Sequence, residues 1–274
     1  MEPVVETSMV LRPPISAMDV GLDATPVYRK MSVLIGFNES TPLSAMTCAY
    51  SIKKNEKPGE TIMCRFLFLE QLIDRGLYTR AYRYNKGQKY DLIDNKPFST
   101  DFSFSRFLTQ VYMTAMGASG WVVFCDDDTL WRQSPFRLLD EHADPKYAVM
   151  VVKHNHNPMQ AVKMDGKIQT NYDRKNWSSV MLWNLDHPSN VNLTADLVNT
   201  KPGAWLHGLR WLRDDEIGEL PEKWNWLVGH SPDTIDPAVV HFTQGGPWLR
   251  PYRRVRYADD WLDKAVELVN AGKP

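Results

Sequence analysis

Between Trp121 and Trp131 the chain reads WVVFCDDDTLW, an apolar β-type run that ends in three consecutive carboxylates. Side chains two apart on an extended backbone share a face, so Asp126 and Asp128 point one way and Asp127 the other. A same-side carboxylate pair at the end of a buried strand is a natural seat for a hard divalent cation. The same three aspartates also suit a solvated turn that caps the next segment. This stretch alone leaves both readings open.

Strand-like and helical patterns alternate around it. Met31–Phe37 reads as a buried strand, residues 38–42 as a polar loop and Leu43–Ile52 as a helix. Glu60–Phe68 is a second strand or a helix start, Leu67–Arg75 a helix closed by Gly76, and Ala81–Tyr84 a short strand. Phe104, Phe107, Leu108, Val111, Tyr112 and Ala115 recur at helical spacing and predict an amphipathic helix over 101–118. Residues 130–139 read as helical, Tyr147–Lys153 and Trp177–Asn184 as strands, Gly166–Tyr172 as a hairpin or loop, and Ala195–Thr200 as a short helix. Val239–Trp248 is a last strand running into a glycine turn, and Ala258–Ala271 a closing amphipathic helix. This alternation predicts an open α/β sheet. With no internal repeat or linker, residues 31–274 read as one domain. Residues 1–30, with four prolines and little periodicity, read as a poorly ordered extension.

A net charge of −1 argues against nucleic-acid binding driven by bulk charge. Neither GxGxxG nor GxxxxGK[ST] occurs, so no dinucleotide fold or P-loop is supported. Cys48, Cys64 and Cys125 are odd in number and lack CxxC spacing, which fits a reducing, cytoplasmic compartment. No signal peptide or membrane span is expected. His154 and His156 share a spacing that suits either a metal or a polar strand end. The ten Trp and eleven Tyr suit stacking of sugars or bases as well as core packing.

The order of five segments resembles glycosyltransferase family 8, whose members have the GT-A fold. They are Phe104-Ser105-Arg106, the FCDDD run at 124–128, the stretch Trp177 to Leu182, the block Asp214-Asp215-Glu216-Ile217 with Leu220-Pro221 and Trp224-Asn225 downstream, and His241-Phe242 with Gly245-Gly246-Pro247-Trp248. Trp177 and Ser179 stand where the family has asparagine and glycine, and Asp215 where it has glutamine. The family's lysine before the closing proline is Gly246 here, and its tyrosine near Thr41 is missing.

The resemblance implies a mostly parallel central sheet flanked by helices, with a nucleotide-binding N-terminal half and an acceptor-side C-terminal half. It implies a hexosyltransferase using a nucleotide-diphosphate sugar, a UDP-sugar favoured, with Mn²⁺ or Mg²⁺ and retention of anomeric configuration. Asp126, Asp128 and His241 would ligate the metal. Phe37, Asn38 and Glu39 would bind base and ribose, Asp127 the ribose or a backbone amide, and Arg106, Gly245 and Gly246 the donor. Arg250, Arg253 or Arg254 would replace the missing lysine, and Asp214 and Asp215 would lie at the reacting sugar. The acceptor would be a glycan, a protein or, less in keeping with the charge, a modified nucleic-acid base. A metal-dependent nucleotidyl- or phosphotransferase and a non-catalytic carbohydrate- or nucleic-acid-binding module are the competing readings.

Overall fold

The computed structural model describes residues 28–155, 162–163, 167–168 and 173–272. Residues 1–27, His156 and most of the segment expected to form a hairpin at 166–172 lie outside the described residues. The strands are β1 Arg29–Gly36, β2 Glu60–Leu67, β3 Tyr82–Asn85, β4 Gln88–Asp91, β5 Pro97–Phe98, β6 Trp121–Cys125, β7 Thr129–Trp131, β8 Val149–Val151, β9 Val162–Lys163, β10 Lys167–Ile168, β11 Val180–Asn184, β12 Ile217–Glu219, β13 Trp226–Leu227 and β14 Val239–His241. The helices are α1 Pro42–Lys53, α2 Leu69–Asp74, α3 Thr109–Ala115, α4 Pro135–His142, α5 Ala195–Thr200, α6 Gly203–His207 and α7 Ala258–Ala271.

The central sheet has the order β12-β8-β11-β6-β1-β2. Only β11 runs against its neighbours in it; the β1–β2, β1–β6 and β12–β8 pairs are parallel. Alternate side chains of each strand feed two cores. Val33, Ile35, Val123, Cys125, Met150 and Leu182 pack on one face with residues of α1 and α4. Leu34, Val122, Phe124, Val151, Met181 and Trp183 pack on the other with residues of α2, α3, α5 and α6. A sheet covered on both faces needs strands that are apolar throughout, which is why these segments read as unbroken hydrophobic runs. A second sheet, β13-β14-β7, packs its own apolar cluster against Trp261 and Ala265 of α7.

Two expected helices are corrected. Residues 105–108 form a 3-10 turn and only 109–115 an α-helix. Residues 101–110 are all buried, so the segment has no solvent face, and the helical spacing came from aromatic residues packed around a buried turn. Residues 129–131 form strand β7, and α4 starts only at Pro135, capped by the Ser134 hydroxyl accepting from the Phe136 N–H. Pairing with β14, more than 100 residues downstream, overrides the local pattern. Many of the tryptophans are packing residues: Trp131, Trp183, Trp224, Trp226 and Trp261 are each at most 1% exposed.

Gly36 closes β1, and a Cβ there would lie 2.5 Å from the ring of Phe102. The absent side chain lets Phe102 lie over the strand end, and the Phe102 carbonyl then accepts from Arg106 Nε at 3.2 Å. Gly36→Ala is expected to destabilise the protein by about 1–3 kcal/mol through overpacking. A urea titration checks this, and an unchanged midpoint would contradict it.

Candidate active site

The parallel register pairs Ile35 with Cys125, so the chain leaves β1 and β6 side by side at their carboxyl ends. Strand β6 delivers Asp126 and Asp128, and Asp127 turns the other way. Its carboxylate accepts from the Thr41 hydroxyl at 3.0 Å, and its carbonyl from the Ser44 hydroxyl at 2.9 Å. The extended-backbone alternation read from the sequence therefore holds through the turn. The fold then brings in the histidine. Strand β14 lies antiparallel to β7 with His241 opposite Thr129, one residue beyond Asp128. One ligand atom each from Asp126, Asp128 and His241 lie within 4.8 Å of one another, and all three residues are buried.

The hydrogen bonds at His241 fix its role. Its Nδ1 lies 2.9 Å from Asn225 Oδ1, and Asn225 Nδ2 donates to the Asn176 carbonyl at 3.0 Å. The amide oxygen therefore faces the ring, and Nδ1 carries the proton. Nε2 then lies 3.2 Å from Asp128 Oδ1 and makes no hydrogen bond among the described residues. In a neutral ring that nitrogen can ligate a cation. Two carboxylates and one imidazole are a donor set for Mg²⁺ or Mn²⁺, so these residues fit a divalent ion.

A cleft opens beside this cluster. Its polar wall includes Ser99, Thr100 and Ser103, and its charged wall Arg106, Arg174 and Lys175. Arg106 is 6% exposed; its guanidinium pairs with Asp126 Oδ1 at 2.7 Å and donates to the Ser178 carbonyl at 2.8 Å. The residue expected to touch a donor thus also fixes the orientation of a carboxylate in the cluster. His207, at the end of α6, lies in the same cleft with Nδ1 3.0 Å from the Ser178 hydroxyl. Burial first, then the positive charge of Arg106, Lys175 and Arg80, pushes its pKa well below the usual histidine value, so the imidazole is neutral.

The other expected site residues are spread around this centre. Phe37 packs on Phe66 and Phe68 with ring centres 5.7 and 4.5 Å away. Asn38 is buried, and exposed Glu39 donates its N–H to Asp101 at 3.0 Å. Gly245 has φ +138°, and Cβ atoms at Gly245 and Gly246 would meet Tyr252 and Trp248 at 2.7 and 2.0 Å, so these glycines let two rings close over the turn. Arg250, Arg253 and Arg254 are exposed and stand apart from the residues lining the cleft. Asp214 and Asp215 are 78% and 75% exposed; Asp214 pairs with Arg174 at 2.6 Å, and Asp215 with Arg213 at 3.1 Å. The Arg174 guanidinium holds the Asp214 carboxyl below the usual carboxylate range. Asp214 thus reaches the cleft through Arg174, whereas Asp215 turns to a different arginine.

Sequence reasoning marked Ser178 within the stretch Trp177 to Leu182 but missed Arg174, Lys175, Asn176 and His207. The polar run Asp173–Asn176 just before β11 was the one available signal. Asn176 takes a left-handed backbone with φ 64°, a conformation asparagine tolerates, and this turns the chain from the cleft wall into the sheet.

The fold is similar to that of solved glycosyltransferases of the GT-A type. The apo bifunctional glycosyltransferase WbbM matches with a TM-score of 0.58 at 14% identity, over 88% of this chain and 51% of that one. An active-site mutant of LgtC matches with a TM-score of 0.53 at 14% identity, over 86% of this chain and 96% of that one. Apo GlyE of Streptococcus pneumoniae TIGR4 gives 0.53 at 15% identity, over 89% and 63%. The chain thus spans about half the length of WbbM. No protein-family model matches the chain. Protein CDI of Arabidopsis thaliana is 38% identical over 247 residues, 88% of each chain, and the chain belongs to the same family as that protein.

Proposed function

We propose that the chain is a metal-dependent glycosyltransferase moving a hexose or related sugar from a nucleotide-diphosphate donor, a UDP-sugar favoured, to a glycan or protein acceptor with retention. The observation that carries this reading is the buried Asp126–Asp128–His241 cluster, with His241 Nε2 3.2 Å from Asp128 Oδ1, beside a cleft lined by three cationic side chains. The relatedness in fold to LgtC, GlyE and WbbM supports sugar transfer as the reaction class.

In this reading Asp126, Asp128 and His241 would hold Mn²⁺ or Mg²⁺, which would supply positive charge to offset that of a departing diphosphate. Asn225 fixes the His241 tautomer so that Nε2 faces inward. Arg106 holds Asp126 in register and adds positive charge to the cleft, and Arg174 and Lys175 supply the charge that the closing glycine turn lacks. The hydroxyls of Ser99, Thr100 and Ser103 offer hydrogen bonds to a sugar. Asp214, through Arg174, tunes the wall nearest the reacting sugar.

A thermal-shift panel of nucleotide sugars with and without Mn²⁺ tests the reading. A ligand at about 100 times its dissociation constant stabilises the native state by about 2.7 kcal/mol, so a UDP-sugar is expected to raise Tm only when Mn²⁺ is present. No shift with any nucleotide sugar would sink the proposal. A response confined to nucleoside triphosphates would assign the acidic strand end to nucleotidyl transfer instead.

A further inference from the structure

The aromatic ring in the loop after β1, Phe37, packs on Phe66 and Phe68, and a more exposed ring is supplied from elsewhere in the fold. Strands β3 and β4 form a hairpin closed by Lys86 and Gly87, both with positive φ (49° and 77°), the pattern of a tight two-residue turn. Tyr82 and Tyr84 are two apart on β3 and share one face with Lys89, the cross-strand partner of Tyr84. Lys89 forms an ion pair with one oxygen of Asp101, and the other oxygen accepts from the Glu39 N–H at 3.0 Å. The hairpin is thus tied to the loop that leaves β1. A second cleft lies between them, with Asn38, Glu39 and Ser40 on one side, Tyr84, Gln88 and Lys89 on the other, and Phe98–Asp101 as its floor. Residues 98–100 of that floor also line the cleft beside the metal-type cluster, so the two spaces adjoin.

Tyr84 is 65% exposed, an unusual setting for a large ring on an otherwise anchored element. Tyr82 meets it edge-on at 5.8 Å and an interplanar angle of 77°, and Lys89 Nζ lies over one face 5.9 Å from the ring centre, which leaves the other face to stack. We propose that Tyr84 is the stacking platform for the nucleobase of the donor, and that the β3–β4 hairpin thereby takes over base recognition from the β1 loop. This rests on the glycosyltransferase reading and deepens it. The order along the sheet fits. The base would lie between hairpin and β1 loop, and β6, which ends in Asp126 and Asp128 where the diphosphate would sit, is the neighbour of β1 in the central sheet. Asn38 and Gln88 line the same cleft as Tyr84.

Isothermal titration of the full chain with UDP, GDP and ADP, each with Mn²⁺, tests the proposal. For the tightest of these, Tyr84→Ala is expected to weaken binding about tenfold, and Tyr84→Phe to stay within about twofold of the wild type. Inorganic pyrophosphate with Mn²⁺, which has no base, is expected to bind Tyr84→Ala as it binds the wild type. Equal nucleotide affinity in Tyr84→Ala and wild type would overturn the platform and leave the metal-dependent reading standing. Equal losses of nucleotide and pyrophosphate would also overturn it, since the effect would then lie in the phosphate site. No nucleotide binding by the wild type would overturn both readings.

Discussion

Replacing Asp128 with alanine is expected to cut Mn²⁺-dependent sugar transfer by about 10²–10³-fold, the usual scale for losing one preorganised stabiliser of developing charge. The same change is expected to abolish the rise in Tm that Mn²⁺ gives the wild type. Asp128 Oδ1 lies 3.2 Å from His241 Nε2 and shares a buried site with the Asp126 carboxylate, and in the variant the carbonyl of residue 128 keeps its bond from the Phe242 N–H at 2.9 Å. The two roles therefore separate by measurement. If Asp128 holds the ion, Mn²⁺ raises Tm over its value in EDTA for the wild type only. A structural residue gives a lower Tm in EDTA and an unchanged response to Mn²⁺. The second pattern, or full transfer activity in the variant, would remove the carboxylate pair from the mechanism.

The strand ends were legible because their chemistry is local. β6 is apolar up to Cys125 and then acidic, and the two-residue alternation that separates Asp127 from its neighbours is a property of extended backbone. His241 was legible for a similar reason, since it closes an apolar run and meets a glycine turn. Its partner Asn225 also stood in a block marked out in the sequence, but that it fixes the imidazole tautomer comes from the pairing of β13 with β14. Nothing local says that Arg174 and Lys175, in a turn before β11, face the same cleft as Arg106, 68 positions earlier. Nor does periodicity separate a buried 3-10 turn from a helix when every side is apolar, and over 101–110 every side is covered. The exposed acidic block is linked to the cleft by pairing that is not local in sequence. The block at 214–216 stands out in sequence, yet only Asp214 reaches the cleft wall, and it does so through the Arg174 guanidinium.

The hairpin that carries Tyr84 is anchored by one buried ion pair, and breaking it is expected to have the largest effect on stability among the changes considered. Arg80 Nε and Nη2 donate to the two oxygens of Asp91, each at 2.7 Å, and both side chains are 0% exposed. Arg80 Nη1 donates to the carbonyls of Val198 and Lys201 at 2.9 and 2.7 Å, and the guanidinium lies 4.1 Å from the centre of the Phe104 ring. Asp91 is the last residue of β4, so this pair fastens the hairpin to α5 and to the segment that leads into Arg106. Asp91→Ala leaves a buried guanidinium that is always charged and has lost its counter-ion. The expected cost is about 3–5 kcal/mol, a fall in Tm on the order of 10 °C for a chain of this size. Replacing both partners, as in Arg80→Met with Asp91→Leu, removes the uncompensated charge and is expected to recover most of that loss. If the pair also sets the height of the hairpin, the double variant regains stability without regaining nucleotide affinity, because Lys89 and Tyr84 then lack a fixed base. Urea unfolding read beside titration with UDP and Mn²⁺ distinguishes the two. A double variant as unstable as Asp91→Ala would show that the loss comes from packing around α5 rather than from the orphaned charge.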